Sequence, residues 1–207
     1  MTNQPFPEQD LTDLSFTIRP YNRENALAYA RRWALDRNPL YPNYAGIGGD
    51  CTNFVSQCVL AGSCFENFTP DFGWYFISPE DRAPAWTSVE YFYDFITGAP
   101  DFRAENGGYG PFGMEVARRG VIPGDVVQLA DADGDFYHSL FICDVENGEI
   151  YVCAHTNDAL DRPLSDYNYA YNRFIHIEGV RIPSVYPCFE KLIGGISLPD
   201  RDMSPKN

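Results

Sequence analysis

The sequence predicts an α+β protein, N-terminal helices packed on an antiparallel β-sheet, and three observations predict it. Apolar residues at helical spacing dominate the first half of the chain, a two-residue alternation dominates the second, and Asn147-Gly148 separates two strand-like runs. Helices first and strands later is the order of an α+β fold, and Asn-Gly is a strong hairpin signal.

Residues 1–20 are Pro-rich and acidic and read as an arm outside the packed domain. In NRENALAYARRWALDRN, Ala26, Leu27, Ala30, Trp33 and Ala34 share a helical face and Pro39 ends the run, which predicts a helix over 22–38. A turn-rich loop, PLYPNYAGIGGD, leads into a second helix with Cys51, Phe54, Val55 and Cys58 on one stripe and its end near Gly62. Residues 63–85 are aromatic and irregular, as suits a loop that walls a cleft. Thr87 and Glu90 read as a capping box before a third helix that runs to Gly98, and MEVARR reads as a short helix stopped by Gly120. Beyond it the period becomes two, and strands are expected at 126–129, 136–145 and 150–154. A Pro-rich extension follows from Arg181, with one more strand expected in FEKLIGGIS.

Composition narrows the function. A chain of 207 residues, 44% hydrophobic and 21% charged, is the size of one domain that buries its own core. With 29 acidic against 15 basic residues the net charge is -14 and no basic cluster stands out, which disfavours nucleic acid and anionic membranes as partners. No run is long enough to span a bilayer, and MTNQPFPEQDLTDLSFT has neither a basic start nor a cleavage pattern, which predicts a cytoplasmic location. Six cysteines in a reducing compartment are expected to stay free. Cys58, Cys64 and Cys188 read as buried apolar residues. Alternating Asp131, Asp133 and Asp135 lack the glycine position and closing glutamate of a calcium loop, so they read as a polar turn.

Cys51 is different. Asp50 is a good N-cap residue, which makes Cys51 the first residue of its helix. There the free N–H groups and the positive end of the helix dipole favour thiolate, the nucleophilic form. Gly48 and Gly49 leave room for a substrate carbonyl. The cysteine spacing does not match a zinc site, and no metal or cofactor is expected.

Two of the three histidines, His138 and His155, stand on the two arms of the Asn147-Gly148 hairpin. A two-residue turn pairs His155 with Leu140 and His138 with Asn157, which puts both imidazoles on one face as diagonal neighbours. The same register sends Cys143 and Cys153 to opposite faces, against a disulfide between them. A register slip would move one histidine to the other face and make Asn157 or Asp158 the third residue instead.

These stretches resemble the bacterial putative amidase domain family, a branch of the papain-like cysteine hydrolases related to cell-wall NlpC-type peptidases. The matching text is YNRENALAYARRWAL, GGDCTNFVSQC, Trp74-Tyr75, Trp86, GDVVQ, HS at 138–139, HTND at 155–158 and NRFIHI, over about 20–178. The resemblance implies a papain-like domain over 21–180, flanked by the arm and by an extension over 181–207. It implies a cysteine hydrolase that cleaves an amide bond through a Cys51 thioester, with His138 as base and His155 orienting His138. The Cys51 N–H and Tyr44 are the expected oxyanion donors. The expected substrate is a small peptide or amide, cell-wall fragments included; the alternative is a degenerate module of the same fold that only binds such a fragment.

Overall fold

A computed structural model of the chain describes residues 16–183. Two units divide the chain. One spans Ile18–Ile182, and the other, Met1–Thr17 with Pro183–Asn207, lies almost wholly outside the described residues. The N-terminal arm, the strand expected in FEKLIGGIS and Cys188 also lie outside them.

Among the described residues there are four α-helices. The first, α1 (Arg23–Trp33), starts at Asn22, whose side chain accepts from the Asn25 N–H at 3.0 Å. Its buried Ala26 and Ala30 present no bulk, which lets it lie close against α2 (Asp50–Ser63). α2 opens on Gly49 in the left-handed region (φ 92) and closes on Cys64 in the same region (φ 46). α3 (Val89–Thr97) is capped by Ser88 rather than Thr87, the Ser88 hydroxyl accepting from the Tyr91 N–H, and stops at left-handed Gly98. α4 (Pro100–Asn106), which periodicity over so short a stretch does not signal, follows with proline in its first turn.

Seven strands form one sheet: β1 (Phe16–Arg19), β2 (Gly110–Val116), β3 (Val126–Ala130), β4 (Phe136–Glu146), β5 (Glu149–Ala154), β6 (Ala159–Pro163) and β7 (Tyr171–Pro183). Their order is β1-β7-β3-β4-β5-β6, with β2 also on β7, and the pairings of β2 to β7, β3 to β4, β3 to β7, β4 to β5 and β5 to β6 are antiparallel. The expected helix MEVARR is therefore half strand. Met114, Glu115 and Val116 pair with His176, Ile175 and Phe174, and tertiary pairing overrides a local helical pattern only six residues long.

Both faces of the sheet are covered. Val126, Phe141, Cys143, Cys153 and Ile175 join the helical core with Phe54, Val55, Trp74, Trp86 and Phe92. On the opposite face Val127, Leu129, Leu140, Ile142, Val152 and Phe174 pack with Val121, Ala159 and Leu164. Alternate residues of each strand thus serve two cores. A buried ion cluster ties the helices to the sheet: Arg23 reaches Asp125 at 2.8 Å and donates to the Ile177 carbonyl at 2.6 Å, while His176 Nδ1 lies 2.9 Å from the other Asp125 oxygen. Asp125 is fully buried, so this neutralisation is required.

One residue alters the register of the hairpin. Asn147 (φ 52) and Gly148 (φ 84) make the expected turn, and Asp144 pairs with Tyr151. Ile142, however, pairs with Val152, so Cys143 is an extra residue, a β-bulge. Everything beyond it shifts by one. The expectation that Cys143 and Cys153 face opposite ways is overturned: both sit on the helical face, 6.1 Å apart at Cα, and form a disulfide. Cys64 also departs from expectation, because it is exposed.

Candidate active site

Cys51 is the second residue of α2 and 5% exposed. Asp50 is the first and is not the N-cap; Gly49 takes that place, and the Asp50 side chain turns back into the protein. Its Oδ1 accepts from the Tyr44 N–H at 3.1 Å and from Asn53 Nδ2 at 3.4 Å. Its Oδ2 accepts from Arg37 Nε at 3.1 Å and lies 3.4 Å from His155 Nδ1. Burial is the largest influence on the Asp50 carboxyl and pushes it up, but the adjacent His155 ring, the bond from the Tyr44 N–H and the charge of Arg37 together hold it below the usual carboxylate range. Arg37 also grips Asp158 with two bonds, 2.8 and 3.0 Å, which lowers that carboxyl.

His155 follows β5 and is 1% exposed. Its ring lies on Phe54, centroids 4.1 Å apart and 24° from parallel. Phe54 is one turn after Asp50, so a single helix face meets both the ring and its Nδ1. Nε2 is 2.8 Å from the carbonyl oxygen of Trp33. A carbonyl only accepts, so Nε2 carries the hydrogen. Nδ1 is within ion-pair reach of Asp50 but not aligned for a hydrogen bond, and is otherwise without a partner.

His138 is elsewhere. It pairs across the sheet with Leu129, a residue of the core on the face away from α2, whereas its neighbour Ser139 bonds Thr52 of α2 at 3.0 Å. The expectation that His138 and His155 share a face is therefore corrected, and the Cys143 bulge is the reason: continued past it, the register sets His155 opposite Ser139, not Leu140. His138 packs between Tyr137 and Tyr167, ring centroids 6.3 and 6.2 Å away, and burial lowers its pKa to about 4. Through Asp50 and Phe54 the structure sets His155 against the first turn of α2, whereas His138 lies on the other face of the sheet.

Around the same turn, Trp86 Nε1 donates to Asn53 at 2.9 Å and Trp74 Nε1 donates to Ser56 at 3.0 Å. Both indoles are fully buried, so they wedge α2 into the core and do not wall a cleft as expected. Tyr44, expected as an oxyanion donor, is 7% exposed, and its buried hydroxyl has no hydrogen-bond partner. Sequence reasoning missed Arg37 and the Trp33 carbonyl. Arg37 lies in the turn after α1, where an arginine has no motif, and a carbonyl is invisible in any side-chain pattern.

Residues 20–178 match the family model described as "Putative amidase domain". The chain belongs to this family. The chain is also 27% identical over 143 residues to the uncharacterized protein YhbB of Bacillus subtilis (strain 168), and 29% identical over 161 residues to the uncharacterized protein YjcM of the same organism. These alignments cover 67% and 74% of this chain but 42% and 35% of the relatives, so the chain spans less than half the length of either. No solved structure matches it. Among the described residues no helix is long and apolar enough to cross a membrane.

Proposed function

We propose that the chain is a cysteine-dependent amide hydrolase in which Cys51 is the nucleophile and His155, not His138, is the base. The observation that carries this reading is the anchoring of His155. With Nε2–H fixed on the Trp33 carbonyl, Nδ1 is the basic nitrogen, and it faces the first turn of the helix that bears Cys51. A helix that carries the nucleophile near its start, packed on an antiparallel sheet that supplies the histidine, is the layout of papain-like hydrolases, and membership of the amidase family supports the same reaction class.

In the first step the Cys51 thiol proton passes to His155 Nδ1 and the sulfur attacks the amide carbon, forming the C–S bond. The resulting imidazolium has its Nε2–H held by the Trp33 carbonyl and the Asp50 carboxylate 3.4 Å from Nδ1 to offset its charge. Backbone N–H groups at the start of α2, with the Tyr44 hydroxyl, receive the oxyanion. Collapse breaks the C–N bond as His155 returns its proton to the leaving amine, and water, deprotonated by His155, then cleaves the thioester to a carboxylic acid. The substrate is a small peptide or amide, cell-wall fragments included, and the Cys143–Cys153 disulfide favours an oxidising compartment over the expected cytoplasm.

The test is a mass-spectrometric screen of peptides, N-acyl amino acids and muropeptides, followed by hydroxylamine trapping of the acyl-enzyme on the turned-over substrate. Hydroxamate formation that disappears in Cys51→Ala is expected. Turnover that survives Cys51→Ala overturns the mechanism.

A further inference from the structure

A chain of buried hydrogen bonds crosses the sheet and ends at Cys51. Arg173 of β7 lies between the rings of Tyr93 and Phe136, its guanidinium carbon 3.6 and 3.8 Å from their centroids, and Glu90 accepts from it at 2.9 Å. Its Nε donates to Gln128 Oε1 at 2.7 Å. Gln128 Nε2 donates to the Val89 carbonyl at 2.9 Å and to Ser139 Oγ at 3.1 Å. Ser139 Oγ is 3.0 Å from Thr52 Oγ1, and Thr52 Oγ1 is 3.8 Å from Cys51 Sγ. Gln128, Ser139 and Thr52 are all fully buried.

Chemistry gives this chain a direction. A guanidinium has only donors, so it fixes the Gln128 oxygen on Arg173 and the amide N–H groups on Val89 and Ser139. Ser139 then accepts from Gln128 and retains one hydrogen. Among the described residues its remaining partner is Thr52, so the arrangement that satisfies Ser139 has it donate to Thr52. The Thr52 hydrogen is thereby left for Cys51 Sγ. We infer that Arg173, Gln128 and Ser139 are positioning residues that aim the Thr52 hydroxyl hydrogen at Cys51, so that its sulfur is the acceptor of that bond. This rests on Cys51 being the nucleophile.

The experiment is iodoacetamide alkylation of the full chain across pH, with the Cys51 peptide quantified by mass spectrometry so that Cys58 and Cys64 do not contribute. The charged and titratable groups around the first turn of α2 are Asp50, Arg37, Asp158, His155 and Tyr44, with Arg82 against the Tyr44 ring, and all are kept. Thr52→Val, close in shape but without the donor, is expected to raise the pH midpoint of alkylation by about one unit, the size of one lost hydrogen bond to a charged acceptor. Thr52→Ser is expected to restore it. Gln128→Glu keeps the Arg173 contact but presents an acceptor to Ser139, which reverses both hydroxyls, so its midpoint rises too even if Thr52→Val does not fold. An unchanged midpoint in folded Thr52→Val or Gln128→Glu overturns the inference. Shifted midpoints without any turnover overturn the hydrolase reading alone, while Cys51-dependent turnover with unshifted midpoints overturns the donor chain alone.

Discussion

The imidazole of His155 lies on the ring of Phe54, 4.1 Å between centroids, so a side chain from the sheet is pinned to the helix whose second residue is Cys51. With the Trp33 carbonyl on Nε2 and Asp50 beside Nδ1, the ring is restrained from three directions.

Of the two candidate histidines, only one should matter to turnover. His155→Ala is expected to lower kcat/KM by about 10²–10⁴-fold, the usual contribution of a general base. His138→Gln should retain activity within about threefold, because its side chain lies on the opposite face and Gln keeps the polar volume; a loss of about 2–5 kcal/mol on removing a buried ring would appear in stability instead. Steady-state kinetics of both variants beside urea unfolding separates the two roles.

His138 also predicts how stability follows pH. Burial lowers its pKa to about 4, below the ordinary 6.5, so the folded protein favours the neutral ring. Its contribution is therefore fully present above pH 6.5 and is lost as pH falls from 6.5 towards 4, on the order of 3 kcal/mol in all. Urea unfolding at pH 7 and pH 4.5 should show most of this loss in the wild type and little of it in His138→Gln.

Asp50 acts lower on the scale. Its carboxyl titrates below the ordinary range in the fold, so its stabilisation is present above the unfolded-state value near 4 and is lost as pH falls through the native one. Asp50→Asn should flatten the acid end of the stability profile. At neutral pH it should also slow turnover by about tenfold or more, because the carboxylate beside the His155 imidazolium is gone.

The disulfide is open to direct measurement. Purified without reductant and denatured, the chain should label at Cys51, Cys58 and Cys64, whereas Cys143 and Cys153 should label only after reduction. The ten-residue separation predicts a loss of about 2–3 kcal/mol on reduction by the loop-entropy relation, read as a lower Tm with dithiothreitol.

Much of the fold was legible because local signals agree with tertiary structure. Asn22 and the alanines of α1, and the glycines flanking α2 and α3, mark helix ends by chemistry that operates within a few residues. The Asn147-Gly148 turn needs positive φ at both positions and announces it. The site was half legible. Cys51 was singled out from its glycines and His155 from the hairpin, and the structure sets both against the first turn of α2. His138 was misplaced because hairpin arithmetic assumes an uninterrupted ladder, and the bulge at Cys143 has no glycine or proline to signal it. The edge of β7 converts Met114-Glu115-Val116 from a helical pattern to a strand, a contact some sixty residues away in sequence that no window of eleven to eighteen residues contains.

The extra residue at Cys143 acts as a parity bit for the whole hairpin. Deleting it, or inserting a second residue beside it, would bring both histidines to one face of the sheet, and the deletion would remove one sulfur of the disulfide. The number of residues between the Asn147-Gly148 turn and His138, odd or even, is therefore enough to decide whether the two imidazoles look toward the same layer or toward different ones, whatever the identity of the residues counted.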